Sequence, residues 1–434
     1  MLKKFFVLFF SVLSINSLHA QEKLRLADAV SIALKNNYSI LVSKNEAEMD
    51  ANNNTTGNAG MLPSLDATAS GTKSVNATKQ NYSTGQEVNK GAVPSRNLAA
   101  GVALNWMIFD GFKMFATKGR LEELQSKGEI SLKIQIENTI EQVVDGYFNV
   151  VKNRDLLAAD QDAINIYKER VRISETKFNI GSASKLELLQ AKVDMNAQLS
   201  AELKDKTALN NSKNNLNQLL ARAIDTDFDA TDSIMITYRP ALDDLKKTIT
   251  TQNNTLLSAQ KDLNIASYSV KEIESQRYPR IGIGAGYNYS RVNNSAGLIL
   301  LNQNAGPNYG FTVSWNLFNG FVVNNQIKNA KLDYQNSELR LNDAKSQIES
   351  QLLQAFNTFR DALEAVKLEE ENLVLAKENL SVALERFRIG NSTPLELQEA
   401  QKSLVDAENR TLSARYDAKV AETELMRLNG ELVK

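Results

Sequence analysis

The sequence predicts a mainly α protein with a small β part, built from two similar halves. Three observations lead to this prediction: a segment around a tryptophan recurs later in the chain, two long stretches contain no proline, and four short segments alternate apolar with small or polar residues. Repeats and hydrophobic periodicity are strong fold signals in a single sequence. Each half is therefore expected to contain strands followed by a very long helix.

The start of the chain has the order of parts of a secretory signal peptide. Two lysines precede an apolar run from Phe5 to Leu13, and Ala20 is a small residue at the expected cleavage site. The apolar run is about nine residues long, whereas a membrane-spanning helix needs about 20. We therefore expect residues 1–20 to be removed. No later apolar run reaches spanning length, so any membrane crossing must use strands.

Residue types limit the chemistry of the mature chain. The sequence contains no cysteine, and its one histidine, His19, lies in the expected signal peptide. Nucleophilic pairs and zinc sites that depend on histidine or cysteine are therefore excluded. The formal net charge of -1 offers no basic excess, which argues against nucleic acid as a partner. We predict no enzymatic activity, no cofactor and no metal.

The acidic segment between the two halves resembles a calcium-binding loop only in part. Asp225, Asp227 and Asp229 have suitable spacing. Ala230 stands where such a loop requires glycine, and Ile236 stands where it requires a bidentate acid. We expect an acidic surface loop that packs against the helices.

The two halves are related by an offset of 209 positions, which separates Trp106 from Trp315 in similar segments. The same offset relates the pattern Phe-x-Ile-Gly at 178–181 to its copy at 387–390. Each repeat is expected to contain a helix, two strands, a long helix, a tip turn and a further helix. The predicted organisation is a signal peptide over 1–20, a first repeat over 21–221, a connecting segment over 222–250 and a second repeat over 251–434.

Two strands are predicted in each repeat. In the second repeat, apolar residues alternate with glycine or polar residues over 281–289 and 309–317. In the first repeat, the alternation is clear over 98–106 and only brief around Leu65. An ordinary half-buried sheet would show this alternation, but the glycine-rich second face favours an outer-membrane barrel, whose apolar face contacts lipid. The residues expected to face lipid are Trp106, Tyr287, Tyr289, Tyr309, Phe311 and Trp315.

Four strands cannot close a barrel, because the smallest known barrels have about eight strands and an open edge in lipid leaves backbone groups unpaired. The chain must therefore assemble with copies of itself. Two copies would supply eight strands and little lumen, whereas three copies would supply twelve.

Two stretches without proline, 112–178 and 321–387, predict two long helices. Proline inside a helix costs about 3 kcal/mol. Each stretch can therefore form one helix of about 67 residues and about 100 Å. A soluble coiled coil would show the same periodicity, but the strands that precede each stretch favour a membrane protein.

Each long helix is expected to end in a tight turn. Gly181 and Gly390 lie where a left-handed C-cap is required. A capping box follows each glycine, beginning at Ser184 in the first repeat and at Thr393 in the second. Pro394 then occupies the favoured first position of its helix.

Acidic residues follow both turns. Glu187 and Glu396 are the acidic members of the two capping boxes, whereas Glu399 is not needed for a cap and has Gln190 as its counterpart. Two like charges on one helix face carry a local cost. That cost suggests a further purpose, while an ordinary solvated face also accounts for these residues, and both interpretations stay open.

Over essentially the whole mature chain, the sequence resembles the TolC family of outer-membrane efflux proteins. The resemblance rests on the two glycine turns at a constant offset, on Leu62-Pro63-Ser64-Leu65 before the first strand, and on the first-helix pattern Leu24, Leu26, Ala29, Val30, Ala33, Leu34, Asn36 and Asn37. It implies a homotrimer in the outer membrane of a Gram-negative bacterium, surrounded by outer-membrane lipid. It further implies a twelve-stranded β-barrel, a twelve-helix α-barrel tunnel across the periplasm, and a collar made partly from residues 222–250.

The resemblance also implies partners and site residues. The hairpin tips would dock on a periplasmic adaptor protein that connects the channel to an inner-membrane pump, through Gly181, Ser184, Leu186, Gly390, Thr393, Pro394 and Leu395. The tunnel entrance would be narrowed by the carboxylates of Glu396, Glu399 and Glu187. Members with a tightly latched closed state carry Tyr and Arg where this chain has Phe387 and Ser392, so the resemblance does not predict how this chain closes.

The leading functional prediction is the outer-membrane channel of a tripartite efflux pump that exports small molecules. The nearest alternative is the outer-membrane duct of a type I protein-secretion system, because cargo choice rests largely with the inner-membrane pump. A periplasmic coiled-coil scaffold would explain the helices but not the strands, and a carboxylate-dependent enzyme would explain neither.

Overall fold

A computed structural model describes residues 22–296 and 299–432, and the expected signal peptide lies outside these residues. The described residues are mainly helical, as predicted, and contain the expected four-stranded sheet together with a two-stranded sheet that was not predicted. The helices are α1 Leu26–Asn36, α2 Tyr38–Asn53, α3 Lys113–Asn179, α4 Lys185–Leu219, α5 Leu242–Gln252, α6 Asn254–Glu274, α7 Val322–Arg388 and α8 Pro394–Leu428. The strands are β1 Glu22–Leu24, β2 Ser64–Asn81, β3 Glu87–Phe109, β4 Phe228–Ala230, β5 Arg280–Asn294 and β6 Leu301–Ser314.

The two longest helices confirm the prediction from proline placement. Helices α3 and α7 each contain 67 residues, and α4 and α8 each contain 35. Corresponding helices begin and end at the same offset that relates the two tryptophans. Across the described residues, no helix is long and apolar enough to cross a membrane.

Four antiparallel strands form the larger sheet in the order β2-β3-β5-β6, which leaves β2 and β6 as its edges. Strand β2 has 18 residues and β3 has 23, so both extend well beyond the alternation seen in the sequence. The polar segment around Lys73 is extended because it pairs with β3: Ser64 is opposite Asn105 and Asn81 is opposite Glu87, with one register shift between Asn76 and Thr78. Backbone pairing, rather than burial, holds this part of the hairpin.

The predicted strand over 309–317 is wrong at its end, because β6 stops at Ser314. The indole Nε1 of Trp315 instead donates a hydrogen bond to the backbone oxygen of Arg277 over 3.0 Å. Shortly afterwards the chain turns through positive φ angles at Gly320 (68°) and Phe321 (64°). The strand ends here because its one partner in the sheet, β5, begins at Arg280, which is opposite Ser314. Trp106 makes the matching bond to Met61 in the first repeat, also over 3.0 Å.

The chain divides into two compact units. The first unit contains residues up to Ile40, Ile136–Leu245 and the residues from Leu352 onward, and the second contains Leu41–Gln135 and Lys246–Gln351. The hairpin turns and the small parallel sheet of β1 and β4 belong to the first unit. The four-stranded sheet belongs to the second.

An apolar core in the first unit orders the connecting segment. Phe228 on β4 is fully buried and packs with Leu24 on β1 and Leu216 on α4. The hydroxyl of Tyr147 donates to the backbone oxygen of Leu24 over 2.9 Å and also lies 2.9 Å from a carboxylate oxygen of Asp232. Strands β1 and β4 are therefore fixed against α3 and α4 by burial and by hydrogen bonds.

Candidate entrance at the hairpin tips

The first tip turns at Gly181, whose φ is 78°. Its N–H donates to the backbone oxygen of Phe178 over 3.0 Å, and the N–H of Ser182 donates to that of Lys177 over 2.9 Å. This pair of bonds is a Schellman motif, which satisfies the last carbonyls of α3 and needs a left-handed residue at its centre. Glycine adopts that conformation without the steric cost of a Cβ atom.

The second tip repeats this geometry at Gly390, whose φ is 83°. Its N–H donates to the backbone oxygen of Phe387 over 3.2 Å, and the N–H of Asn391 donates to that of Arg386 over 2.9 Å. Two independent turns of the same type confirm the tight hairpins expected from the sequence.

Both return helices begin with the expected caps. The Oγ of Ser184 accepts the N–H of Glu187 over 3.2 Å, and the Oγ1 of Thr393 accepts the N–H of Glu396 over 3.3 Å. The Glu396 carboxylate accepts a hydrogen bond from the hydroxyl of Ser392 over 2.7 Å. Glu396 is therefore held by a residue just before the cap. In neither turn does the glutamate carboxylate accept the N–H of the capping residue, so both predicted capping boxes are only half formed.

The three predicted entrance carboxylates differ in their surroundings. Glu187 is half-buried, and both Glu396 and Glu399 are exposed. Glu396 also lies 3.9 Å from the guanidinium of Arg386, whereas Glu399 makes no ion pair with any residue that the structure describes. Gln190, its counterpart, donates to Asp194 over 2.8 Å. Of the two exposed acids, Glu399 is the less committed to a local contact.

A buried arginine behind the tips was missed by sequence reasoning. Arg170 on α3 is 1% exposed, and its Nη1 donates to Asp194 on α4 over 2.9 Å and to Gln401 on α8 over 3.1 Å. It therefore connects the first hairpin to a helix of the second. Only the helical spacing of polar residues could have marked these positions, and that spacing is common on solvated faces.

A second cross-hairpin contact involves Phe387, one of the two residues that depart from the family pattern. Its ring is 1% exposed and packs with Leu380 and Leu397. The Nζ of Lys177 donates to the backbone oxygen of Phe387 over 2.6 Å and lies 4.0 Å from the centre of its ring. Cation–π contacts of this kind contribute about 0.5–2 kcal/mol. Phe387 thus joins the two hairpins through packing and a lysine.

An exposed ion-pair group adds to the contact between the hairpins. Arg172 and Arg388 approach Glu169 at 2.6 and 3.3 Å. Hydrogen bonding from Arg172, with a further bond from Arg388, lowers the pKa of the Glu169 carboxyl to about 2. Since both arginines are largely in solvent, at 66% and 49% exposed, the contribution of these pairs to stability is small.

Apolar side chains at the extreme tips are left in solvent in matched pairs. Leu186 and Leu395 are 75% and 63% exposed, and Ile180 and Ile389 are 73% and 68% exposed. The members of each pair occupy equivalent places in the two repeats. Each chain therefore presents two similar apolar tips.

Five of the six residues expected to face lipid share one face of the sheet. Ile283 is opposite both Trp106 and Phe311, and Ala285 is opposite Tyr309. Directly opposed residues in antiparallel strands point to the same side. Tyr287 and Tyr289 alternate on the same side of β5, and Trp315 lies one residue beyond β6. These aromatic residues are exposed or half-buried in the single chain.

Comparison with known proteins agrees with this architecture. The sequence of BepC, an outer membrane efflux protein of Brucella suis biovar 1 (strain 1330), is 20% identical over 349 residues, covering 80% of this chain and 75% of the relative. The outer membrane protein TolC of Escherichia coli (strain K12) is 21% identical over 369 residues, covering 81% of this chain and 73% of the relative.

Solved structures share the fold. The CmeC outer membrane channel of Campylobacter jejuni gives a TM-score of 0.77 at 19% identity, covering 94% of this chain and 85% of that one. The outer membrane protein VceC of Vibrio cholerae gives a TM-score of 0.77 at 17% identity, covering 93% and 96%. Residues 29–222 and 246–431 match the family described as outer membrane efflux protein. The chain therefore belongs to the outer membrane efflux protein family and is an outer-membrane protein.

Proposed function

We propose that three copies of this chain form the outer-membrane channel of a tripartite pump that exports small molecules from the periplasm. The observation that carries the proposal is the four-stranded sheet, which ends in the unpaired edges β2 and β6 and is followed in each repeat by a 67-residue helix. Three such sheets joined edge to edge give a closed barrel of twelve strands in which no backbone group is left unpaired in lipid.

The duplicated hairpins would supply the tunnel. We assign the first repeat to residues 21–221 and the second to 251–434, joined by 222–250, because corresponding helices share their lengths and their turns share their φ angles. Three chains with two hairpins each would place twelve helices around one axis. The entrance would then be lined by up to three copies each of Glu187, Glu396 and Glu399.

The tips would dock a periplasmic adaptor protein. Exposed leucines at equivalent places in both repeats, Leu186 and Leu395, give each chain two similar apolar contacts. The backbone that presents them is fixed by Gly181 and Gly390, together with the caps at Ser184 and at Thr393 before Pro394. Apolar residues on rigid turns suit a partner that recognises shape with little loss of conformational entropy. The adaptor would connect the channel to an inner-membrane pump.

Efflux of a fluorescent dye tests this function. Deletion of the gene should increase accumulation of an amphiphilic dye, and the wild-type gene should restore the parental level. Gly390→Pro should fail to restore it at equal amounts of outer-membrane protein, because proline cannot adopt a positive φ. Unchanged accumulation of small molecules together with loss of a secreted protein would contradict small-molecule export and indicate a protein-secretion duct.

A further inference from the structure

The apolar face of the four-stranded sheet is bounded at one end by basic residues. Lys73 on β2 is directly opposite Arg96 on β3, and Arg291 on β5 is opposite Leu98, two residues along β3 from Arg96. The strand register therefore places Arg96 directly beside Lys73 and diagonally beside Arg291, all on the face that carries Trp106 and the tyrosines.

These cations have no internal partner. Lys73, Arg96 and Arg291 are exposed, and none of them makes an ion pair with another residue of 22–296 or 299–432. The only acids in the four strands are Asp66, at the other end of β2, and Glu87, which pairs with Lys79 at 3.3 Å. Like charges directly opposite one another destabilise a sheet. Anionic groups from outside the chain would relieve this repulsion.

The distance from the helices places the basic residues at a definite depth. Ten residues separate Trp106, near the helical end of β3, from Arg96, which is about 33 Å along an extended strand. With the strand tilt of about 40° found in membrane barrels, this corresponds to about 25 Å along the membrane normal, which is the height of the apolar band of such barrels. The basic residues therefore lie at the boundary of the leaflet farthest from the helices.

We propose that Lys73, Arg96 and Arg291 form a binding surface for the phosphate groups of the phosphorylated glycolipids of the outer leaflet. The proposal rests on the proposed function, which places the helices in the periplasm. Guanidinium groups bind phosphate oxygens in a bidentate manner, and lysine adds a compact positive charge. Tyr289, two residues from Arg291 towards the apolar band, has the amphipathic ring that favours the membrane interface. Each copy in an assembly would hold one such surface, and the bound phosphates would separate the opposed cations.

Binding of purified lipopolysaccharide, intact or enzymatically dephosphorylated, to the full-length protein in detergent tests the proposal. The wild-type protein should bind the intact lipid about tenfold or more tightly, since each basic residue at an anionic surface contributes about 1 kcal/mol. The triple variant Lys73→Gln, Arg96→Gln, Arg291→Gln should lose this preference. The matched control Lys79→Gln, Lys90→Gln, Arg280→Gln removes three positive charges elsewhere on the same sheet and should keep it.

Equal binding of both lipids by the wild-type protein would overturn the proposal without any variant. Equal loss of preference in the test and control variants would also overturn it, because net charge rather than this surface would then be responsible. If the protein still forms an outer-membrane trimer and exports dye, either of these binding results would overturn only the lipid-binding proposal, and the proposed function would stand. Recovery of the wild-type protein outside the outer membrane would instead contradict the proposed function.

Discussion

Arg170 on α3 and Asp194 on α4 form an ion pair of 2.9 Å in which the side chains are 1% and 13% exposed. Asp194 also accepts a hydrogen bond from Gln190, and Arg170 donates to Gln401 on α8. The Nε of Arg170 and the Nε2 of Gln401 are buried without a hydrogen-bond partner among the described residues. The pair therefore lies where the first hairpin meets the second, in a buried environment in which an unpaired charge would be energetically unfavourable.

Removal of the acid should destabilise the hairpin tips. Asp194→Ala would leave the Arg170 guanidinium buried without a counter-charge, a change that costs about 3–5 kcal/mol. Hydrogen exchange of peptides around both tips should become correspondingly faster. Arg172→Ala is the control, because Arg172 is 66% exposed in its pair with Glu169 and such pairs contribute about 1 kcal/mol or less. Equal exchange in both variants would show that the buried pair does not hold the tips.

The tip glycines should be required for their backbone conformation alone. A Cβ atom at Gly181 or Gly390 would meet no heavy atom within 4 Å, so Gly390→Ala introduces only the left-handed strain, about 1–2 kcal/mol. Gly390→Asn should cost less, because asparagine tolerates this conformation. The control Gly306→Ala lies in equally open space without a positive φ. The rate of hydrogen exchange at the second tip should be higher in Gly390→Ala than in Gly390→Asn, and the rate in Gly390→Asn should be close to that of the wild-type protein. The reverse order of rates would contradict this account.

A cluster of carboxyl groups between α3 and α8 should make stability depend on pH. Burial, together with a hydrogen bond to Glu424, raises the pKa of Glu141 to about 8, although Arg427 lies 3.1 Å away. Burial, with the charge of Glu424, raises the pKa of Asp145 to about 6. At a pH between the pKa of each carboxyl group in the unfolded state and its higher pKa in the folded state, the folded protein holds a proton that the unfolded protein has released. The free energy of unfolding therefore falls as the pH rises from about 4.5 to about 8.

Substitution of Glu141 should weaken that dependence. The melting temperature of the wild-type protein in detergent, measured at intervals from pH 5 to pH 8, should fall more steeply than that of Glu141→Gln, in which no proton is released at this position. Glu364→Gln, a change of an exposed acid on α7, should leave the wild-type slope. A slope in Glu141→Gln as steep as that of the wild-type protein would show that this carboxyl does not hold its proton.

Glu399 should influence the selectivity of the open channel if it lines the entrance. Rings of acidic side chains favour cations, so Glu399→Gln should lower the cation preference measured in a planar bilayer. Glu378→Gln removes an exposed acid on α7 about three turns before the tip and serves as the control. Unchanged selectivity in a conducting Glu399→Gln channel would place this residue on the outer surface of the tunnel, in keeping with an ordinary solvated face.

Much of the fold could be predicted from the sequence because its signals are local. The absence of proline permits the two long helices, and Gly181 and Gly390 mark their ends through a conformation that other residues adopt only with strain. The strands with alternating apolar residues were predicted for the same reason. In the long β2–β3 hairpin, by contrast, the polar residues beyond Gly71 are extended only because they pair with another strand. The periodicity of apolar residues carries no information about such pairing.

The candidate site was less predictable because its contacts join distant parts of the chain. The Arg170–Gln401 hydrogen bond joins residues 231 positions apart, and polar residues at helical spacing are usually solvated. The two predicted capping boxes were only half right, since neither Glu187 nor Glu396 accepts the N–H of its capping residue. At Glu396 the hydroxyl of Ser392 donates to the carboxylate instead. Similarly, Trp315 was expected in a strand, but β6 ends at Ser314 because its partner β5 begins at Arg280.

Cross-linking of the open sheet edges tests most directly whether three copies close one barrel. The protein has no native cysteine, and β2 and β6 of one sheet are three strand spacings apart, about 14 Å, which exceeds the reach of a disulfide. Ser70→Cys on β2, combined in turn with Asn308→Cys, Gly310→Cys or Thr312→Cys on β6, can therefore join only different copies. Oxidation in outer membranes should produce dimers and trimers and nothing larger for at least one register. Monomers at every register, or a ladder that continues beyond three chains, would contradict the closed trimer.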